Sequence, residues 1–236
     1  MGDFNLTAHK KAKLLNPLNS LIFMDRELKN QLIKIAKEKI PDTDVSHDFE
    51  HALRVLFNAE RIAKEENGDF DIIVPAALFH DLVVYPKNHP DKHKSQEESA
   101  EAAEKILNTF GNFPKDKIEK IKICILECSF SKGIVPDLLE SKILQDADGL
   151  EATGAISIMR TFSSTGQMKR PFYNSDDPFC KNRQAYASKF ALDLFYERLL
   201  KVAERMHTKT AKKIAKRRTD FLIDFLKEFK LELEGK

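Results

Sequence analysis

A chain of 236 residues is long enough to bury one sizeable core, and no shift in composition forces a second domain. Its 39 basic and 37 acidic residues nearly cancel, which excludes an overall field drawing it to nucleic acid or an anionic membrane and makes any phosphate recognition local. With 32% charged residues and only 8 glycines, the balance suits solvated helices better than strands and tight turns, so an all-α, single-domain fold is expected. Three cysteines leave one over from any pairing, which suits a reducing compartment. Neither a secretory leader, nor a myristoylation signal, nor an uncharged run of membrane-spanning length is present, and a cytoplasmic protein without membrane attachment is expected.

Residues 1–24 lack a clear period and carry His9, Lys10, Lys11 and Lys13, and they read as an arm preceding a domain over 25–231. From Asp25, apolar residues at Leu28, Leu32, Ile35, Ala36 and Ile40 recur three and four apart, predicting a helix that Pro41 stops. Ser46 is placed to cap a second helix running through Leu53, Leu56, Ala59 and Ile62, with Gly68 as its stop. Asp71 can cap an almost uninterrupted apolar helix over 72–84, ended by Pro86. A polar loop follows until Ser95, which with Glu98 has capping-box spacing and opens a helix ending near Gly111. Further helices are predicted over 115–129, 136–147, 151–162, 185–206 and 208–231, with a loop over 163–180.

His80 and Asp81 stand side by side at the end of the apolar helix, where a carboxylate is costly to bury unless a cation or donor answers it. His47, His51 and Arg54 share one face of the preceding helix, and Asp146 and Asp148 flank Ala147 near the end of another apolar helix. Imidazoles and carboxylates together form a mixed nitrogen and oxygen shell that leaves positions for water, unlike a closed structural zinc site. Water on a divalent ion becomes a nucleophile near neutral pH while the ion neutralises a phosphoryl oxygen, the two effects that phosphate ester hydrolysis needs.

The order His51, then His80-Asp81, then Asp146, within the runs Ser46-His47-Asp48-Phe49-Glu50-His51, Ala77-Leu78-Phe79-His80-Asp81-Leu82 and Gln145-Asp146-Ala147-Asp148, resembles the HD-domain metal-dependent phosphohydrolase superfamily, specifically its small stand-alone bacterial members. The resemblance covers roughly residues 28–229 and implies an HD-type helical bundle. It implies one divalent ion, whether manganese, magnesium, iron, cobalt, nickel or zinc, held by His51, His80, Asp81 and Asp146. It also implies a carboxylate near the metal that handles the proton, for which Glu97 and Glu98 are the candidates beside Asp81. The implied activity is hydrolysis of a small phosphorylated substrate, a nucleotide or other phosphomonoester. A cyclic-nucleotide phosphodiesterase, or a binding protein that keeps the fold without turnover, are the alternatives.

Two departures motivate the last of these. Related members often read Asp-Ala-Asp-Arg-Leu-Asp, whereas this chain reads Asp146-Ala147-Asp148-Gly149-Leu150-Glu151 and loses the Arg at Gly149. Cys128 stands before Ser129-Phe130 where many carry a His, favouring one metal over two. Around the site, His47, Arg54, Lys92, His93 and Lys132 are the candidate substrate contacts, Lys92 and His93 lying in a basic loop placed to cover an anion. Cys124 and Cys128 have no further ligands spaced for a tetrahedral site and read as core residues. The basic run from Lys209 to Arg218 alternates with Ile214, Ala215 and Phe221 and reads as the solvated face of an amphipathic helix, so nucleic acid is not an expected partner. A homodimer is compatible with the sequence.

Overall fold

The computed structural model describes residues 24–41, 47–85, 89–129 and 133–236, and among these there is no strand. Asp25 accepts from the Leu28 amide at 2.9 Å and opens α1, Arg26–Lys39, which buries Leu32 and Ala36. Ser46, the expected cap of the next helix, lies outside the described residues. Asp48 does the capping, accepting from the His51 amide at 2.8 Å at the start of α2, Phe49–Glu66. The stop is Asn67, which takes the left-handed conformation at φ 61°, rather than Gly68. Gly68 is closely packed: a Cβ there would sit 2.6 Å from Ile73 Cδ1 and 2.7 Å from Ile143 Cδ1, so a side chain at this position would have to push those two isoleucine tips aside.

The apolar helix α3, Phe70–Phe79, is capped by Asp69, not Asp71, and ends at Phe79. Every residue from Ile72 to Phe79 is buried, as expected of a segment with no wet face. Asp71 instead pairs with Lys117 at 2.7 Å, tying α3 to the later helix that carries this lysine. A 3-10 turn, Pro90–Lys94, leads into α4, Ser95–Leu107. The predicted capping box is absent: Ser95 Oγ donates back to Lys92 O, and Glu98 accepts from the Tyr85 hydroxyl at 2.8 Å. Next come α5, Lys115–Glu127, and α6, Leu139–Gly149, whose end tightens into a 3-10 turn, Leu150–Ala152. Gly154, at φ 67° and close against Arg218, turns the chain into α7, Gly154–Gln167. The segment from 163 is thus helical for five residues more than predicted.

The expected helix over 185–206 is broken. Only α8, Asp193–Glu197, and a 3-10 turn, Leu199–Arg205, form within it. Tertiary demands override the apolar spacing: Asp193 reaches back to the Tyr186 amide at 2.7 Å and to Arg183, which pulls the preceding chain into a loop. The last helix, α9, Lys209–Leu233, is capped by Thr208. Lys212, Lys213, Lys216 and Arg217 are exposed on it, as a solvated face requires.

Two packing units result. The larger core gathers α1 to α6, with Met206 and the first half of α9 through Ala211, Ile214 and Ala215. The smaller joins Leu192, Phe195 and Leu199 to Leu222 and Leu226 from the second half of α9, padded by Phe225, Phe229, Tyr173 and Phe179. Cys124 and Cys128 are buried, and all three cysteines are free thiols. No helix among the described residues is long and apolar enough to cross a membrane.

Candidate metal centre

His51 sits one turn into α2, fully buried, and His80 follows directly on α3, 2% exposed. Their helices pack against each other and bring the rings together with centroids 5.3 Å apart. His80 Nδ1 lies 2.8 Å from the Ala77 carbonyl, which can only accept, so this nitrogen carries the ring proton. His51 Nδ1 lies 3.2 Å from Glu151 Oε2. Burial alone would raise the Glu151 carboxyl, but His51 and Arg54 hold it below the usual carboxylate range, so it too is an acceptor. The Nε2 atoms, which face each other at 3.3 Å, are therefore the positions left for a cation, either a proton or a metal ion.

Two carboxylates converge on the same point. Asp81 Oδ2 lies 3.6 Å from His51 Nε2 and 3.5 Å from His80 Nε2, and Asp148 Oδ1 lies 3.5 Å from His51 Nε2. Burial would raise the Asp81 carboxyl, yet the imidazoles of His80, His51 and His47 hold it well below the usual range. Burial would push the His51 imidazole down, but Asp81, Glu151 and Asp148 bring it up to about 9. Two facing ring nitrogens among anionic oxygens form a place that holds positive charge, a proton on His51 when no metal ion has displaced it. Imidazole nitrogens with carboxylate oxygens are the donor set that divalent transition ions accept, and one ligand atom each from His51, His80 and Asp81 lies within 4.8 Å of the others. The residues present therefore fit a divalent ion.

Asp146, expected as the fourth ligand, is not brought there. Its two oxygens take three hydrogen bonds at 2.8 Å, from the amides of His207 and Thr208 and from the Thr208 hydroxyl. They anchor the start of α9 to α6. The carboxylate that reaches the imidazoles is Asp148, two residues on.

A cleft of about 910 Å³ opens from this cluster, with His80, Asp81 and Asp148 in its wall. His47, Lys92 and His93, candidate substrate contacts from the sequence, line it. Arg54 does not; its Nε donates to Glu151 at 2.9 Å. Glu97 and Glu98, the candidate proton carriers, also stay out of the lining: Glu97 is exposed on the surface of α4, and Glu98 is held by Tyr85. Lys132 lies outside the described residues.

Cations the sequence reading missed complete the wall: Arg160 from α7, Arg170 just after it, Arg198 at the end of α8, and Arg205 before α9. One signal was available. Ser157, Arg160, Thr161 and Ser164 recur at helical spacing in an otherwise apolar segment, and all four line the cleft. Burial lowers the pKa of the Arg198 guanidinium and Asp148 raises it, while Arg160 and Arg205 oppose its charge, so the three arginines share one field beside the carboxylates.

Fold and site together define an all-helical protein that sets a His/Asp cluster at the head of a cationic cleft. A family model for the HD domain matches residues 48–153. A Listeria innocua protein of known structure is 30% identical, with a TM-score of 0.65, over 89% of this chain and 98% of its own. An HD-superfamily hydrolase from Bacillus thuringiensis is 27% identical with a TM-score of 0.68, covering 89% and 98%. The uncharacterized protein YpgQ of Bacillus subtilis, solved in complex with ADP, is 28% identical with a TM-score of 0.66, covering 88% and 98%. The chain belongs to the HD-domain superfamily of hydrolases.

Proposed function

We propose that this chain is a metal-dependent phosphohydrolase acting on a small phosphate ester, a nucleotide or another phosphomonoester. The observation that carries this reading is the juxtaposition of the His51, His80, Asp81 and Asp148 cluster with Arg160, Arg198, Arg205 and Lys92 around one cleft. A divalent ion, when bound, supplies a Lewis acid and an activated water for attack on phosphorus. The chain's own groups do the rest. The arginines take the negative charge of the phosphoryl oxygens in a geometry that a guanidinium fork suits, and they supply the positive charge that Gly149 removes from the family pattern. Buried helix packing behind His51 and His80 keeps bulk water off the back of the site, so the cluster is open only toward the cleft. The Bacillus subtilis relative's complex with ADP favours a nucleotide within this class.

The test is phosphate release by the manganese-loaded protein from a panel of nucleoside phosphates, sugar phosphates and cyclic nucleotides, with Asp81→Ala as the control. We expect release from at least one phosphomonoester, absent in the control and abolished by chelation. No metal-dependent release from any member of the panel would remove this reading and leave a binding protein on the same fold. Release from cyclic nucleotides alone would make it a phosphodiesterase.

A further inference from the structure

We infer that Glu151 is the positioning residue of the metal centre, holding the His51 ring in the one tautomer and orientation that leaves its Nε2 open to a cation. The inference rests on the metal-dependent reading above. Glu151 is 2% exposed, and a carboxylate so deeply placed is costly unless it is answered. A single oxygen, Oε2, is shared between His51 Nδ1 at 3.2 Å and Arg54 Nε at 2.9 Å, with an Arg160 nitrogen at 3.9 Å. An ion pair serving stability alone would need only the guanidinium.

What the imidazole contact adds follows from the alternative tautomer. With its proton on Nε2, His51 would point an N–H at the His80 Nε2 lone pair 3.3 Å away, or at Asp81 Oδ2, and would close the gap between them with a hydrogen bond. No lone pair would then remain on His51 for a metal. An acceptor behind Nδ1 keeps the proton on the far side and raises the basicity of the nitrogen in front. The two histidines differ in how this is arranged. His80 leans on the Ala77 carbonyl, a backbone group that no substitution removes, whereas His51 depends on one side chain carried by a turn at the end of α6.

The experiment measures Mn²⁺ affinity by calorimetry and, in Zn²⁺-loaded protein, the histidine ring N–H resonances. Glu151→Gln should weaken Mn²⁺ binding by about 10- to 100-fold and shift or erase a far-downfield ring N–H signal assigned to His51, whereas Arg54→Gln, which breaks the same ion pair but leaves the carboxylate on the imidazole, should weaken binding by less than about threefold. Glu151→Asp keeps the charge and serves if Glu151→Gln does not fold; it should bind Mn²⁺ with affinity between wild type and Glu151→Gln, or below wild type when taken alone. Equal losses in Glu151→Gln and Arg54→Gln would overturn the proposal by showing that only the ion pair matters. Wild-type affinity in Glu151→Gln or Glu151→Asp would overturn it while leaving the metal reading standing. A wild-type protein that binds no Mn²⁺ would overturn both.

Discussion

Two largely buried carboxylates, Asp81 after α3 and Asp193 at the start of α8, are answered in opposite ways. Asp193 is closed off: both oxygens take the Arg183 guanidinium, one of them at 2.7 Å, and the Tyr186 amide adds a third bond at 2.7 Å. Its neighbourhood already contains a fixed cation and has no use for another. Asp81 meets only imidazoles, whose positive charge a metal ion can replace, and with Asp148 it stands at the head of a cleft with no guanidinium or ammonium bonded to it. The larger packing unit thus holds an unfinished electrostatic site, and the smaller one a completed structural pair. A buried carboxylate is not by itself a ligand; what separates the two is how many of its acceptor positions the protein has filled.

The sharpest way to break this contrast is to remove a member of the unfinished site. His80→Ala or Asp81→Ala should lower metal-dependent phosphate release by at least about a hundredfold, beyond the range expected for residues that only orient ligands. Asp193→Asn instead leaves Arg183 without its anion and should cost about 3 kcal/mol in urea denaturation with Mn²⁺ affinity intact. Burial would raise the Asp193 carboxyl, but Arg183 and the Tyr186 amide hold it below the usual carboxylate range. Its contribution is therefore present above the unfolded pKa and lost as pH falls through the folded one, so the gap between wild type and Asp193→Asn should narrow below roughly pH 4.

A smaller effect distinguishes two neighbours. Asp148→Asn should weaken Mn²⁺ binding by about tenfold, and Asp146→Asn should instead cost about 1 to 2 kcal/mol of stability through the start of α9 while affecting metal affinity little. The smallest changes belong to the solvated face of α9, where Lys212→Ala and Lys216→Ala should each alter the unfolding free energy from urea denaturation by no more than about 0.5 kcal/mol and leave turnover unchanged.

That neighbour pair also marks the limit of what was legible in the sequence. His51 and the His80-Asp81 step could be read because adjacency and the uninterrupted apolar helix before them pointed to one buried corner. Asp146 and Asp148 sit two apart on α6, so their side chains leave the helix in nearly opposite directions, and no spacing rule says which faces the histidines. The answer depends on His207 and Thr208, sixty residues later in the chain, claiming the first. Helices α1 and α2 and the apolar α3 were readable from period alone, their cores being local in pattern. The segment over 185–206 was not. Ala191, Leu192, Phe195, Leu199 and Val202 have helical spacing, but Asp193 spends its carboxylate on a loop, and the backbone at Arg198 leaves the helical region at φ −137°. Arg198 and Arg205 escaped notice for the same reason, since only the broken course of that segment turns them into the cleft.

The last helix is the element that holds the two packing units in register. Its 25 residues span roughly 37 Å at a helical rise, with Ala211, Ile214 and Ala215 seated in one core and Leu222 and Leu226 in the other. Because one rigid rod is embedded in both, neither unit can loosen without tilting a lever whose near end is fastened to α6 through Asp146. A ligand drawing the arginines of the smaller unit inward would therefore be felt two residues away at Asp148, which gives the cleft a mechanical as well as an electrostatic link to the metal centre.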